Sequence, residues 1–505
     1  SPSDFTEMSA KDQRAWAASL LARLTSPGLD APAVCLLDTG VNHKHPLLAP
    51  AIADEDVQAC IPGWTPADQG GHVSGMAGLA LYGDLQPLLT SSEPIVLRHR
   101  LESVRIVPAT GQNDPELYGK LTMEAIARAE VAAPHRRRAC CLAVSSKDNL
   151  DRGAPSSWSA EVDALSSGSD DGERRLIIVA AGNVDRRNWT GYPDVNLSDS
   201  IHDPGQAWNA LTIGAFTDRS QLDPERYPDW SLVAHPGALS PSSTTSQVWA
   251  GHWPLKPELV LEGGNAAVDP GHTMVDTPDD LSLLTTHQHH LTKLFVTTGD
   301  TSGAAALAAR LAAALMAEYP DLWPETVRAL LVHSAEWTGQ MLREYPLSNG
   351  TNRRIGLLRT YGYGVPDLER ARRSARNDVC LVAQDQLQVF RLEGSELETA
   401  DMNLHRLPWP IDILRDLGGQ EVRLRVTLSY FIEPNPAKRG WTVRHAYRSH
   451  GLRFGVKHPT ENEAAFRARI NREAREESDA EPRRGPEDRG WLLGPRVWER
   501  GSLHS

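Results

Sequence analysis

Five short apolar runs alternate with helix-like stretches between residues 31 and 375, and this alternation limits the fold more than any other feature. Strands that are apolar along most of their length are typical of sheets covered on both faces, and alternation with helices indicates parallel pairing. The sequence therefore predicts an α/β fold with a doubly wound, mostly parallel sheet. The predicted strands are AVCLL (33–37), SVRIV (103–107), ACCLAV (139–144), LIIVAA (176–181) and ALTIGAF (210–216), and the predicted helices are residues 73–81, 119–131 and 159–165.

The pattern changes after residue 375. EVRLRVTLSYFIEP (421–434) alternates apolar and polar residues, as a half-buried antiparallel strand does, and VCLVA (379–383) and LQVFRL (387–392) are its candidate partners. We expect a smaller C-terminal β-sandwich here. The charged run at 466–490 is interpreted as a solvated helix followed by a linker.

The N-terminal residues have the spacing of an amphipathic helix, with Trp16, Leu20, Leu21 and Leu24 on one side. The predicted organisation is a helical segment at 1–30, a catalytic domain at 31–375 and a β-rich domain at 376–505.

Composition excludes two classes of partner. The chain of 505 residues has a formal net charge of -13, which argues against a nucleic-acid-binding face. Its apolar runs are too short to span a membrane, so we expect neither nucleic acid nor a membrane as a partner.

Cysteine usage and the first residues favour a reducing, cytoplasmic setting. The five cysteines include Cys35, Cys140 and Cys141 in apolar runs, where buried, unpaired thiols are expected. The first residues also lack the basic start, apolar stretch and cleavage site of a signal peptide.

Three stretches supply the parts of a nucleophilic serine site. LLDTGVNHKHPLL (36–48) places Asp38 at the carboxyl end of a buried strand, and QGGHVSGMAGLALYG (69–83) places His72 at the start of a helix of small residues. VTTGDTSGAAALAARLAA (296–313) places Ser302 at the start of another such helix. A serine hydroxyl needs a base, and a histidine base needs a carboxylate to orient it. The small residues would let both helices pack close to the sheet, so that the side chains reach one point.

A fourth stretch supplies a donor for an oxyanion. LIIVAAGNVD (176–185) ends a strand in Ala-Gly-Asn, and the side-chain amide of Asn183 could donate a hydrogen bond to a developing negative charge. The backbone N–H of Ser302, at a helix N-terminus, could be the second donor.

These motifs resemble those of the subtilisin-like serine proteases, or subtilases, of the intracellular bacterial type. DTGV resembles the aspartate motif of the family, GGHVSGMAG its histidine motif, AAGN its oxyanion motif and TGDTSGAAA its serine motif, over residues 31–375. The resemblance implies a serine endopeptidase that hydrolyses peptide bonds through an acyl-enzyme, with Asp38, His72 and Ser302 as the triad and Asn183 in the oxyanion hole.

The resemblance also implies where a substrate pairs as an added strand. The expected contacts are Val144, Ser145, Ser146, Ala181 and Gly182. The sequence departs from the family at Asp300, where glycine is usual, and at Ala306, where proline is usual. The charge of Asp300 could tune substrate preference or titration near the nucleophile.

Other interpretations remain open. Asp-Thr-Gly is also the motif of aspartic proteases, which need two copies where this chain has one. Alone, Ser302 would cap a helix. His43 and His45 flank the Asp38 loop and could line a substrate cleft, but we interpret them as surface residues. The chain could instead be an inactive, protease-like scaffold that binds a partner through its C-terminal domain, or an active protease restrained until a partner releases it. Some similar bacterial proteases occur beside ATPases, so a regulatory ATPase is a candidate partner besides the protein or peptide substrate.

No cofactor is expected to be required. THQHH (286–290) lacks a nearby carboxylate or cysteine to complete a zinc site, and we interpret it as a solvated loop approaching the serine. DVNLSDSIHD (194–203) is rich in oxygen ligands but lacks the glycine of a dedicated calcium loop, so a structural calcium ion stays open.

Overall fold

The computed structural model describes residues 1–147, 151–375, 380–394, 396–407, 409–435, 447–458, 460–476, 491–493, 497 and 500–505. Its helices are α1 Pro2–Glu7, α2 Ala10–Leu21, α3 His72–Tyr82, α4 Leu85–Thr90, α5 Tyr118–Ala132, α6 Ser157–Ser167, α7 Asp194–Ser198, α8 Asp300–Glu318, α9 Pro324–Ser334, α10 Gly339–Glu344, α11 Thr351–Tyr361, α12 Leu368–Ala375, α13 Ile411–Asp416 and α14 Glu463–Glu476. Its strands are β1 Leu24–Thr25, β2 Ala33–Asp38, β3 Val57–Ala59, β4 Ile95–Val96, β5 Arg100–Arg105, β6 Arg138–Leu142, β7 Leu176–Ala180, β8 Leu211–Thr217, β9 Ser231–Leu232, β10 Ala238–Leu239, β11 Leu259–Glu262, β12 Ala267–Val268, β13 Val275–Asp276, β14 Leu283–Thr286, β15 Phe295–Thr298, β16 Phe390–Glu393, β17 Glu396–Thr399, β18 Leu428–Ser429 and β19 Leu503–His504.

The central sheet is mostly parallel. Its strand order is β10-β8-β7-β6-β2-β5-β3, with β11 also paired to β8. Only β10 runs antiparallel to its neighbour. The five predicted strands correspond to β2, β5, β6, β7 and β8, and the predicted parallel α/β sheet is confirmed.

Helices cover both faces of the central sheet. Successive side chains along a strand point to opposite faces, so each strand contributes to a core on both sides. In β2, Val34 and Leu36 join the large core that contains α3 and α8. Cys35 and Leu37 point the other way, into a second core with α5 and α6. A strand packed on both faces has no polar side to give it a period of two, which explains its continuous apolar sequence.

The helices that carry the candidate residues pack closely because of their glycines. A Cβ atom added at Gly78 of α3 would lie 2.3 Å from Oγ1 of Thr285, and one added at Gly303 of α8 would lie 3.2 Å from Cδ1 of Leu79. Helix α3 therefore packs tightly against both the β14–β15 hairpin and α8, whereas the small residues predicted close packing of the two helices on the central sheet.

The N-terminal segment packs on the main core. Phe5 and Leu20 are buried there, whereas Trp16 is partly exposed. The Gln13 side chain accepts a hydrogen bond from the backbone N–H of Leu294, at the loop between β14 and β15. This segment therefore braces the hairpin that leads into α8.

The described part of the C-terminal region contains two short strand pairs, β16–β17 and β18–β19. The predicted strand at 421–434 is a strand only at Leu428–Ser429. The predicted charged helix is α14, and the linker predicted after it lies outside the described residues. The C-terminal β-sandwich stays a prediction.

Among the described residues, no helix combines the length and the apolar character that crossing a lipid bilayer requires. All five cysteines are free thiols, and Cys35, Cys140 and Cys141 are buried as expected.

Candidate active site

Asp38 and His72 are in direct contact. Asp38 is the last residue of β2, and its side chain is only 3% exposed. Its Oδ2 atom lies 2.8 Å from Nδ1 of His72, the first residue of α3. Because Nδ1 faces the carboxylate, Nε2 is the ring atom that can exchange a proton with a reactant.

Asp68 holds the helix that begins at His72. Its carboxylate accepts hydrogen bonds from the backbone N–H groups of Gly70, Gly71 and Ser74, at 3.0, 2.8 and 2.8 Å. Gly71 has a φ of +85°, which glycine adopts without steric cost. The turn and the start of α3 are thus fixed by one buried carboxylate.

Ser302 lies in the first turn of α8 and is 5% exposed. The residue that begins the helix, Asp300, has a φ of +63°, a left-handed conformation that favours glycine. Its backbone N–H donates to the carbonyl oxygen of Gly263 at 2.7 Å. This backbone conformation explains why the motif that TGDTSGAAA resembles usually has glycine at this position. Aspartate is one of the residues that tolerate the left-handed conformation.

Asn183 is held by Thr301. Its Oδ1 atom accepts from the backbone N–H of Thr301 at 3.0 Å and from the Thr301 hydroxyl at 2.7 Å. A backbone N–H can only donate, so this contact orients the amide and turns its NH2 group to the opposite side. The Thr301 hydroxyl also accepts from the backbone N–H of Gly182 at 3.1 Å.

The Ser302 hydroxyl donates to the backbone carbonyl oxygen of Ala143, at 3.0 Å. A carbonyl oxygen can only accept, so the hydroxyl proton points at Ala143. The hydroxyl proton is therefore engaged by Ala143, and a transfer of this proton to another group requires that hydrogen bond to break.

The charge environment favours the protonated form of His72. Burial opposes that form, but the Asp38 charge, its hydrogen bond and the charges of Asp68 and Asp300 raise the pKa of His72 to about 9. Burial raises the pKa of Asp300 above its ordinary value, against the effects of Arg186 and His72. Asp300 Oδ2 lies 3.6 Å from Nη2 of Arg186.

The expected substrate-binding residues follow the carboxyl ends of two neighbouring strands of the central sheet. Strands β6 and β7 are neighbours, and residues 144–146 and 181–182 follow their carboxyl ends. The N–H and C=O of Ser146 both bond to the backbone of Asp203, each at 2.8 Å. Val144 and Ser145, both partly exposed, are thus better placed than Ser146 for main-chain pairing with a substrate.

The two histidines that follow Asp38 have structural contacts. His45 is buried rather than at the surface: it accepts from the N–H of Leu47 at Nδ1, and Nε2 lies 3.0 Å from the carbonyl oxygen of Leu294. Burial lowers the pKa of His45 to about 4. His43 pairs with Asp54 at 2.8 Å.

The loop that contains His287 and His289 lies against the aspartate and histidine motifs. Its Gln288 carbonyl oxygen accepts from the Asn42 side chain at 3.0 Å, and a Cβ at Gly71 would lie 3.2 Å from the Gln288 side chain. No group of three or more His, Cys, Asp or Glu residues suited to a metal occurs in the described part of the chain. A structural calcium ion at residues 194–203 stays a prediction.

Sequence reasoning assigned no role to Asp68 or Thr301. Asp68 could have been found, because an acidic residue shortly before a helix start is a capping signal. Thr301 belongs to the Thr-Ser pair, but its bridge between Gly182 and Asn183 depends on a contact across 118 residues.

Comparisons with known proteins agree with this architecture. The family model "Subtilase family" matches residues 30–364. An uncharacterized protein of Sinorhizobium fredii, y4bN, is 28% identical over 320 residues, covering 60% of this chain and 68% of that protein.

Two solved structures are similar to this chain at low identity. The epidermin leader peptide processing serine protease of Staphylococcus aureus has 15% identity and a TM-score of 0.44, over 70% of this chain and 77% of that chain. A lanthipeptide protease has 16% identity and a TM-score of 0.43, over 73% of this chain and 92% of that chain.

Proposed function

The chain belongs to the subtilase family, and on that premise we propose that it is a serine endopeptidase that cleaves peptide bonds through an acyl-enzyme. The observation that carries the proposal is the 2.8 Å contact between His72 Nδ1 and Asp38 Oδ2 at the carboxyl end of β2. It supports His72 as the base and Asp38 as the group that orients it.

In the proposed reaction, Ser302 Oγ attacks the carbonyl carbon of the scissile bond while its proton passes to His72 Nε2. The oxygen of the tetrahedral intermediate accepts hydrogen bonds from Asn183 Nδ2 and from the backbone N–H of Ser302. The intermediate collapses, and the C–N bond breaks as His72 returns the proton to the leaving amine. Water then attacks the ester by the reverse sequence and frees Ser302. No cofactor takes part.

The orientation of Asn183 supports its part in this reaction. Its Oδ1 is committed to Thr301, so the amide NH2 is the group available to meet an anion. Substrate would pair with Val144 and Ser145 on one side and with Ala181 and Gly182 on the other.

We also propose that the enzyme is restrained at rest. Two observations favour this: the Ser302 proton points at Ala143, and the raised pKa of His72 leaves the base protonated at neutral pH. Binding of substrate or of a regulatory protein, such as an ATPase, would have to release the Ser302 hydroxyl from Ala143 and lower the pKa of His72. The alternative is a protease-like scaffold that acts by binding a partner through the C-terminal region.

The free, buried thiols support work in a reducing compartment, and we place the enzyme in the cytoplasm.

The test is digestion of a peptide library derived from an unfolded proteome, with products read by mass spectrometry. We expect new peptide termini with the native protein and none with Ser302→Ala or His72→Ala. Equal products from native protein and Ser302→Ala would refute the peptidase proposal, and no products from any of them would favour the scaffold. Fast digestion of native casein without a partner would refute the restraint.

A further inference from the structure

We propose that His202 sets the substrate specificity of this site by filling the space next to the scissile bond, so that the enzyme cleaves after residues with small side chains. This inference rests on the proposed peptidase function. Sequence reasoning assigned no role to His202.

The position of the scissile residue follows from the groups that must act on it. Its carbonyl carbon must meet Ser302 Oγ, which contacts the Ala143 carbonyl, and its oxygen must meet the amide of Asn183. The substrate residue that supplies this carbonyl therefore lies over Ala143 and Asn183. Its side chain has to enter between the segments 143–146 and 181–183, which follow the neighbouring strands β6 and β7.

His202 occupies this space. Its ring Nδ1 lies 3.2 Å from Oγ of Ser145 on one segment. On the other segment, a Cβ atom added at Gly182 would lie 2.2 Å from the ring Cγ of His202. Gly182 has a φ of +95°, and the imidazole packs directly on its backbone. The ring is thus held between the two segments that a substrate would contact.

The backbone around His202 is fixed on both sides. The His202 N–H donates to the Ala181 carbonyl at 2.8 Å, and its own carbonyl accepts from the Gly205 N–H at 2.7 Å. The next residue, Asp203, is paired with Ser146 through both backbone groups and accepts from the Ser156 hydroxyl at 2.6 Å. His202 is only 6% exposed, so an approaching side chain meets a ring that is already packed.

The consequence is a shallow pocket. Glycine, alanine or serine can end above the imidazole, whereas phenylalanine or leucine would have to displace it from Ser145 and Gly182. Displacing a packed polar ring costs both its contacts and its hydrogen bond.

The test uses two fluorogenic peptides that differ only in alanine or phenylalanine before the cleaved bond. For the native enzyme we expect kcat/KM to be at least about tenfold higher for the alanine peptide. In His202→Ala this ratio should fall by at least about tenfold, mainly through a lower KM for the phenylalanine peptide. His235→Ala, an exposed histidine, is the control and should keep the native ratio. Native cleavage after phenylalanine as fast as after alanine, or an unchanged ratio in His202→Ala, would overturn the inference.

A second measurement needs no variant. Peptidyl phosphonates with an alanine-like or a phenylalanine-like side chain should inactivate the native enzyme at rates that differ in the same sense. Equal rates would overturn the role of His202 while leaving a reactive Ser302. If neither phosphonate reacts and neither peptide is cut, the peptidase proposal itself fails, and the inference with it.

Discussion

His72 lies among three carboxylates, and this arrangement has two effects. Asp38 orients the ring, and Asp68 fixes the helix that carries it. Together with Asp300, they also stabilise the imidazolium form. In the proposed mechanism His72 acts as a base only when it is neutral, so the charges that position it also lower the fraction of His72 that could act near neutral pH.

Activity should therefore rise with pH over an unusually alkaline range. Because kcat/KM follows the neutral fraction of His72, we expect it to fall as pH drops through about 9 and to be ~100-fold below its plateau at pH 7. The measurement is a profile of kcat/KM from pH 6 to 10.5. An inflection near the ordinary histidine value of 6.5 would contradict this expectation.

Asp300→Asn should move that profile. Removing one carboxylate charge lowers the pKa of His72, so the inflection shifts to lower pH and activity at pH 7 increases. Asp114→Asn, at an exposed turn, should leave the inflection in place. An unmoved inflection in Asp300→Asn would show that this charge does not act on His72.

At the scale of elements, the site depends on how closely α3 approaches the β14–β15 hairpin. The hydroxyls of Thr285 and Thr286 donate to the carbonyls of Gly75 and Ser74, at 2.6 and 2.5 Å. These contacts tie the helix of His72 to the hairpin that leads into the helix of Ser302. The distance between α3 and α8 depends on glycine, because Gly303 of α8 has no side chain where it meets Leu79 of α3.

Gly78→Ala and Gly75→Ala make a matched pair. An alanine methyl at position 78 would lie 2.3 Å from Thr285 Oγ1 and 2.9 Å from the Thr286 backbone nitrogen, so we expect a loss of about 1–3 kcal/mol and reduced activity. At position 75 the nearest atom is 3.4 Å away, and the gain in helix propensity of up to about 1 kcal/mol should make alanine neutral or stabilising. Denaturant unfolding and kcat/KM measure both, and equal effects would refute the packing argument.

Removal of the cap at α3 should affect catalysis beyond stability. Asp68→Ala removes three hydrogen bonds to the turn and helix, so we expect a loss of about 1–2 kcal/mol and at least about a tenfold drop in kcat/KM on the alkaline plateau, where His72 is neutral in both proteins. Thr338→Ala removes a cap of α10, and should lower the free energy of unfolding by a similar amount with native activity. Loss of activity in both variants would mean that Asp68 has no specific part in placing His72.

At the scale of the whole molecule, buried polar contacts fasten the C-terminal residues to the core. Arg328 of α9 is fully buried and donates to the carbonyl oxygens of Asn209, Tyr430 and Ser502. Asn209 in turn exchanges two hydrogen bonds with the backbone of Ile432, at 2.7 and 2.9 Å. The C-terminal segments around Tyr430, Ile432 and Ser502 therefore pack on the same side of the core as α9.

Arg328→Ala should unfold this junction. It removes the guanidinium donor from three buried carbonyl groups, of which that of Ser502 keeps the N–H of Tyr430, and we expect a loss of about 3–5 kcal/mol. Arg467→Ala removes an exposed pair with Glu463 on α14 and should cost less than about 0.5 kcal/mol. Equal midpoints of denaturant unfolding in the two variants would contradict the role of Arg328.

The sequence predicts the middle of the sheet better than its edges. Strands such as β2 and β7 are buried along their whole length, so their apolar runs mark them directly. Edge strands such as β3 and β10 have two or three residues and carry no such signal. The alternating run at 421–434 predicts a long strand, but a strand needs a bonded neighbour, and the described partners are Leu503–His504 and, at the far end of the run, a single bridge from Pro434 to Arg448.

The candidate site is predictable in its residue types but not in its state. The motifs place Asp38, His72, Ser302 and Asn183 at strand ends and helix starts, where the structure has them. The direction of the Ser302 hydroxyl and the pKa of His72 depend on contacts with Ala143, Asp68 and Asp300, which arise only when distant segments meet.

The most direct measurement is labelling of the native protein with a fluorophosphonate, which reacts with a serine whose base and oxyanion donors are assembled. We expect a covalent adduct on Ser302 that forms faster as pH rises from 7 to 10 and is absent in Ser302→Ala. Failure of the folded native protein to label at any pH, or equal labelling of Ser302→Ala, would contradict the account of Ser302 as a nucleophile activated by His72.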